Sequence, residues 1–388
     1  MSTNLNSNSY PSLNFFKRLK PADIKEIILA LPKKVNSLEV QTIHYKKLFK
    51  VCRIVKLLEN TPDTEIASIK YKNEEEQNWT TSVCFHPSGE YVAVCGYNWI
   101  STIYYCNPLN KSKFGTELFK FTEHTFPVNI VTFSKSGNLF GDCSLDGFAF
   151  IYDFNERNTE TFGKIILKIE SETDIKTMSF SPSEDQVAIG TFDNSIFIYN
   201  ITKSTTQNDA TLLYTLKNHT KEVLSLCYSL CGKFLFSTSN DKLLSITDLQ
   251  SEFIKVDNKG FTSNLQPQEE IALFVAVNPT NDFIALGYST GKISLFKFNP
   301  YEKIMDLEGH TNDVNCLNFS PSGKYLASTG SDKFINIYDV DYNNIGETFG
   351  NLIKRFQGCY TIITGIAYSF SDEYIAISGY NQELKLFS

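Results

Sequence analysis

Short alternations of apolar and polar residues recur along most of the chain, each strand-sized and bounded by clusters of Gly, Pro, Asn, Asp or Ser. In the segment 315–339 the first alternation ends at Phe319 and is followed by the turn Pro321-Ser322-Gly323. A second runs over Tyr325 to Ser328, a turn follows at Ser331-Asp332-Lys333, and a third passes through Ile335, Ile337 and Tyr338. Phe319 marks the first strand of this unit, and equivalent markers stand at Phe85, Phe133, Phe180, Tyr228, Val277 and Tyr368. In chain order the seven markers are 48, 47, 48, 49, 42 and 49 residues apart.

The register inside each unit is tighter than the period. Thirteen residues past the markers lie Asn98, Asp146, Asp193, Asp241, Thr290, Asp332 and Asn381, all but Thr290 strong turn formers. Eighteen past lie Ile103, Ile151, Ile198, Ile246, Leu295, Ile337 and Leu386. Seven copies therefore fit one template without internal gaps. A period in this range with three visible strands predicts an all-β fold, a seven-bladed β-propeller of four-stranded blades. The third strand of the seventh unit ends at the last residues of the sequence and would leave an unpaired edge. The alternating segment Thr64–Tyr71 is expected to add there as the outer strand, so that the ring occupies residues 64–388.

The periodicity changes before the ring. Ile24, Ile27, Ile28 and Leu31 follow Pro21 at helical spacing, and a second helical pattern carries Leu48, Cys52, Val55 and Leu58 on one face. Residues 14–60 are read as a short α-helical segment that docks, dimerises or binds a partner, and residues 1–13, mostly polar, as disordered.

Charge sharpens this division. The chain of 388 residues carries a net −7. Residues 1–60 hold eleven Lys and Arg against four Asp and Glu, giving +7, so the other 328 residues carry −14. An acidic ring does not suit nucleic acid, whose phosphates require a basic face. A basic amphipathic segment could touch an anionic membrane, but a membrane partner is not expected. No apolar run exceeds strand length and the polar start fits neither a signal nor a transit peptide, which points to an intracellular protein, cytoplasmic or nuclear. The nine cysteines include no CxxC pair and read as buried thiols in a reducing compartment.

The ring resembles the WD40 family. The sixth unit has Gly309-His310, Ser328, Asp332 and Tyr338-Asp339 where that family has its Gly-His, strand Ser, turn Asp and Trp-Asp. The second and fourth keep His124 with Asp146 and His219 with Asp241, and no unit has the Trp. The resemblance implies a His–Asp relay with a Ser and Trp arm, nearly complete only in blade six. A second resemblance, to the F-box, covers about residues 19–50: Leu19-x-Pro21, Ile27-Ile28-x-x-Leu31, Pro32, Leu38 and Tyr45–Leu48 fall in its order, although Lys20 replaces the usual Pro. It implies docking on a Skp-like adaptor of a cullin-type ubiquitin ligase.

Catalytic chemistry finds no support. His124, His219 and His310 occupy repeat positions, His86 a turn and His44 the helical segment, which leaves no general base. Gly287-Tyr288-Ser289-Thr290-Gly291 matches G-x-S-x-G but falls on a predicted hairpin, not on a strand-to-helix elbow. A propeller hydrolase would need a polar cluster at the channel mouth that the spacing does not provide. No small-molecule substrate, cofactor or metal site is expected. The function read from sequence is a scaffold or adaptor, with an F-box-like substrate receptor as the alternative. In WD40-like rings the residue before each first strand lies on the top face. Here those residues are Trp79, Pro127, Asp174, Glu222, Ile271, Asp313 and Ile362, and Trp99 either extends the patch or serves as rim packing. Trp79 beside Ile362 is the candidate hot spot, with burial of Trp79 under the N-terminal helices as its competing reading.

Overall fold

The computed structural model describes residues 65–70, 79–107, 112–156, 160–201, 210–250, 263–280, 283–298, 300–380 and 383–387. The chain divides into two units, residues 1–61 and 62–388, and every described residue belongs to the second. The expected disordered start, the helical segment 14–60 and the F-box-like stretch lie outside the described residues.

Seven four-stranded antiparallel sheets make up the second unit. Their innermost strands are Thr80–Phe85, Val128–Phe133, Ile175–Phe180, Val223–Tyr228, Ala272–Val277, Val314–Phe319 and Ile363–Tyr368. Each neighbours the next, and the last packs beside the first, which closes the ring. All seven share one irregularity, a register shift between their first and third residues, as at Thr80/Ser82 and Ile363/Gly365. An extra residue at that point raises local twist, which lets the innermost strands pass the crowded channel. The fold is thus the all-β, seven-bladed propeller that the repeat requires.

The ring closes in blade seven. Its outer strand is Glu65–Lys70, paired antiparallel with Glu383–Phe387, so that the two ends of the unit share one sheet. Side chains add stitches at the same seam. The Thr80 hydroxyl donates to the Gly379 carbonyl at 2.7 Å, and the Thr364 hydroxyl donates to the Thr80 carbonyl at 2.8 Å. The same kind of stitch joins blade one to two (Thr81 to the Val128 carbonyl), two to three (Asn129 to Ile175) and six to seven (Asn315 to Ile363).

The hydrophobic core is divided among the blade interfaces. Ala93, Cys95 and Ile103 of blade one pack against Val131, Phe140 and Tyr152 of blade two. Val83, Val92 and Val94 meet Ala367, Ala376, Leu384 and Leu386 across the closing seam. Each fully buried aliphatic side chain is worth about 1.5–3 kcal/mol, so every interface is a substantial term and no blade is buried without both neighbours. Among the described residues no helix is long and apolar enough to cross a membrane.

Candidate protein-interaction surface

The top face is built from the loops that lead into the inner strands and the turns between the second and third strands. One backbone bond repeats there in all seven blades. The carbonyls of Trp79, Pro127, Asp174, Glu222, Ile271, Asp313 and Ile362 accept from the amides of Tyr97, Leu145, Phe192, Asn240, Ser289, Ser331 and Tyr380. The seven residues therefore occupy one geometric position, tying each entry loop to the turn of its own blade. Gly96 makes the approach in blade one possible, since a Cβ there would lie 2.1 Å from the Trp79 carbonyl oxygen. Asp174 is exposed, whereas Pro127, Glu222, Ile271, Asp313 and Ile362 are half-buried.

Most aromatic side chains of this face gather on three adjacent blades, with Phe192 of blade three, also exposed, beyond them. Trp79 stacks on Tyr380 of blade seven (centroids 4.7 Å, planes 22° apart) and meets Tyr97 edge-on at 5.4 Å. Trp99 stacks on Phe126 of blade two at 6.3 Å. Tyr97 and Trp99 sit on the same turn, which joins the two stacks. These rings are wet as well as paired: Trp79 is 37% exposed, Tyr97 41%, Trp99 48% and Phe126 57%, and Tyr360 on the blade-seven entry loop reaches 86%. Ile362 joins Trp79 through Tyr380, whose amide it binds.

Trp99 has a second peculiarity. Its φ is +67°, and the equivalent turn residues of the other described blades, Gly147, Asn194, Lys242, Gly291 and Lys333, share the left-handed conformation. Gly and Asn suit it, whereas a bulky side chain there costs about 1–2 kcal/mol. Sequence reasoning found Trp79 and Trp99 but missed Tyr97, Tyr380, Tyr360 and Phe126. Tyr97 and Tyr380 were detectable, because each stands twelve residues past its marker, in the column just before the turn residue.

Beneath this surface the His–Asp pairs hold the entry loops. His219 Nδ1 donates to Asp241 at 3.0 Å and its Nε2 accepts from Ser237 at 2.8 Å. His310 does the same with Asp332 at 2.9 Å and Ser328 at 2.7 Å. The Asp carboxylate also takes the amide after the His, that of Thr220 or Thr311. The relay expected to be nearly complete only in blade six thus reaches the strand Ser in blade four too. There Asn218 bridges Ser245 and Thr247 in place of the missing aromatic. In blade six the Tyr338 hydroxyl donates to the Glu308 carbonyl at 3.1 Å.

Blade two departs from this pattern. Asp142, fully buried, stands where the others have Ser237 and Ser328. His124 lies 3.2 Å from Asp142 by Nε2, off line for a hydrogen bond, and 3.0 Å from Asp146 by Nδ1. Burial opposes a charge on His124, but the two carboxylates overcome it and push its pKa up to about 9. His219 and His310, each with a single carboxylate, are lowered by burial instead. Blade two is held by an imidazolium between two carboxylates, the other two by neutral imidazoles. The G-x-S-x-G match lies across the hairpin between Ile284–Tyr288 and Ile293–Phe298, with no elbow at Ser289.

A closed ring of four-stranded blades with stacked, exposed aromatics on the loops of its top face defines a β-propeller with a candidate binding surface. Residues 115–153, 163–200, 210–248 and 301–339 match the family described as WD domain, G-beta repeat. The chain carries four WD40 repeats within a seven-bladed propeller. Blade seven and the three inner strands of blade one, which carry most of the exposed rings, lie outside the matched segments. The chain is 23% identical over 199 residues to a WD repeat-containing protein 55 homolog of Aedes aegypti (49% of this chain, 40% of the relative). It is 28% identical over 165 residues to meiotic recombination protein rec14 of Schizosaccharomyces pombe (42% and 50%). It is 24% identical over 256 residues to pre-mRNA-processing factor 19 of Dictyostelium discoideum (64% and 46%). It spans half or less of the length of these relatives.

Proposed function

We propose that the protein is a non-catalytic scaffold that docks a protein or peptide partner on the top face of blades seven, one and two. The observation that carries this reading is Trp99. A bulky aromatic is kept, half in water, at a backbone position where it is strained and where other blades place Gly, Asn or Lys. Local rules are broken at a cost where a site has another use for the residue. Stacked aromatics that present a face to solvent bind a partner at low entropic cost, because their rotamers are already fixed. Trp79 and Ile362 contribute the inner edge of this site, and the remaining entry-loop residues form its rim.

A pull-down with full-length protein and with Phe126→Ala/Tyr360→Ala tests the site. Both side chains are more exposed than buried, so the double variant should stay folded and lose little beyond the Trp99–Phe126 stack, about 0.5–1.5 kcal/mol. Partners retained by the wild type should be lost or reduced about tenfold or more, the scale of two hot-spot truncations. An unchanged set of partners from a folded double variant sinks the proposed surface.

A further inference from the structure

Resting on the reading just given, we propose that the partner docked on this face is a basic segment with an apolar anchor: an aromatic or aliphatic side chain seated on the stacks, with Lys or Arg beside it. Charge divides this face into two sectors. The described entry loops and turns of blades seven and one, residues 358–362, 380, 79 and 97–100, contain no charged residue. Acidity begins where the stacks end. Glu123 lies three residues before Phe126 on the same entry loop, and blade three adds Glu172 and Asp174, all three exposed. On the opposite flank blade six carries exposed Glu308 and half-buried Asp313, together with Lys333. Lys176, at the blade-three inner strand, is held 6.0 Å over the Phe192 ring, and burial lowers the pKa of its amine.

An acidic partner would bring carboxylates against Glu123, Glu172 and Asp174, and like charges facing each other across an interface are a strong penalty. A wholly apolar partner would satisfy the stacks but strip water from the carboxylates without replacing its hydrogen bonds. A segment with basic residues next to its anchor meets both sectors, and its rim charges act chiefly on association rate and salt dependence.

The test is selection of a phage-displayed random dodecapeptide library on the full-length protein, followed by titration of a synthetic copy of the most enriched peptide. Enriched peptides should carry two or more Lys or Arg beside an aromatic or aliphatic residue. Affinity should fall about tenfold or more with Phe126→Ala/Tyr360→Ala. It should fall about tenfold with Glu172→Lys/Asp174→Lys, and weaken as salt rises from about 50 to about 500 mM. Peptides that need the aromatic pair but are neutral or acidic, and ignore the charge reversal, overturn the partner class and leave the docking surface standing. A selection that returns no peptide dependent on the aromatic pair overturns both.

Discussion

At the scale of single residues, the histidines of blades two, four and six show how one substitution changes the physics of a repeat. Asp142 in place of Ser turns a neutral relay into a buried ion cluster, and stability becomes linked to pH. The folded pKa of His124, about 9, lies above its unfolded value near 6.5. Its contribution is therefore fully present below pH 6.5 and is lost as pH rises through about 9, amounting to roughly 3 kcal/mol across that window. His219 and His310 are lowered, so their contribution is present above pH 6.5 and lost as pH falls below it. Denaturant melts between pH 7 and pH 10 should show the wild type losing stability on the alkaline side. Asp142→Ser, which restores the residue of the other two blades, should flatten that limb; an equally steep limb in the variant would show that His124 is not its source.

Trp99 makes a second test at this scale. Replacing it with Asn relieves about 1–2 kcal/mol of left-handed strain and forfeits about 0.5–1.5 kcal/mol of stacking on Phe126. The two nearly cancel, so Trp99→Asn should melt within about 1 kcal/mol of wild type while partner binding falls. A loss of stability beyond about 2 kcal/mol would instead make Trp99 a piece of rim packing.

Strands and turns tell why so much of the fold was legible. The Asp at the second turn binds the amide two residues on, as Asp146 does with Phe148 and Asp332 with Phe334, and such local chemistry leaves a fixed column in the sequence. The recurring pattern of buried and half-exposed positions, as along Val314–Phe319, fixes the register of each strand. What the columns did not expose was contact between blades. Tyr380 and Trp79 are distant in sequence and belong to different repeats, and only ring closure stacks them. Trp99 shares its column with Gly147, but its own residue type gives no sign of the left-handed backbone there. The blade-four relay was passed over for another reason: its aromatic arm is missing, although Ser237 stands in the same column as Ser328. The element most worth removing is the closing strand. Deleting residues 60–72 strips blade seven of its outer strand and leaves Glu383–Phe387 as an open edge. Calorimetry should show the cooperative transition lost or lowered by more than about 10 °C, with soluble aggregates on gel filtration. A truncated protein that melts as before would mean that the ring does not depend on this clasp.

For the whole molecule, the seven repeats are alike in backbone and unlike in surface. The −14 of the chain outside residues 1–60 does not coat the top face evenly. Among the described residues it leaves an uncharged aromatic sector on blades seven and one, bordered by carboxylates on blades two, three and six. A repeat fold allows this because packing is settled by positions between blades, while loop residues vary without disturbing the ring.

The clasp in blade seven also sets a clock. Lys70 pairs with Glu383, so the strand made first waits for a partner 313 residues later. Bringing such ends together in an open chain costs roughly 5 kcal/mol, against about 1.5 kcal/mol for a hairpin. At a synthesis rate of roughly 5–20 residues per second, the first strand stays unpaired for about 15 to 60 s after it is made. During that interval the nascent ring exposes an apolar blade interface and a free strand edge. Its dependence on chaperones should therefore be greatest just before the last strand emerges, and a circular permutant opened between two other blades would move that vulnerable moment to a different seam.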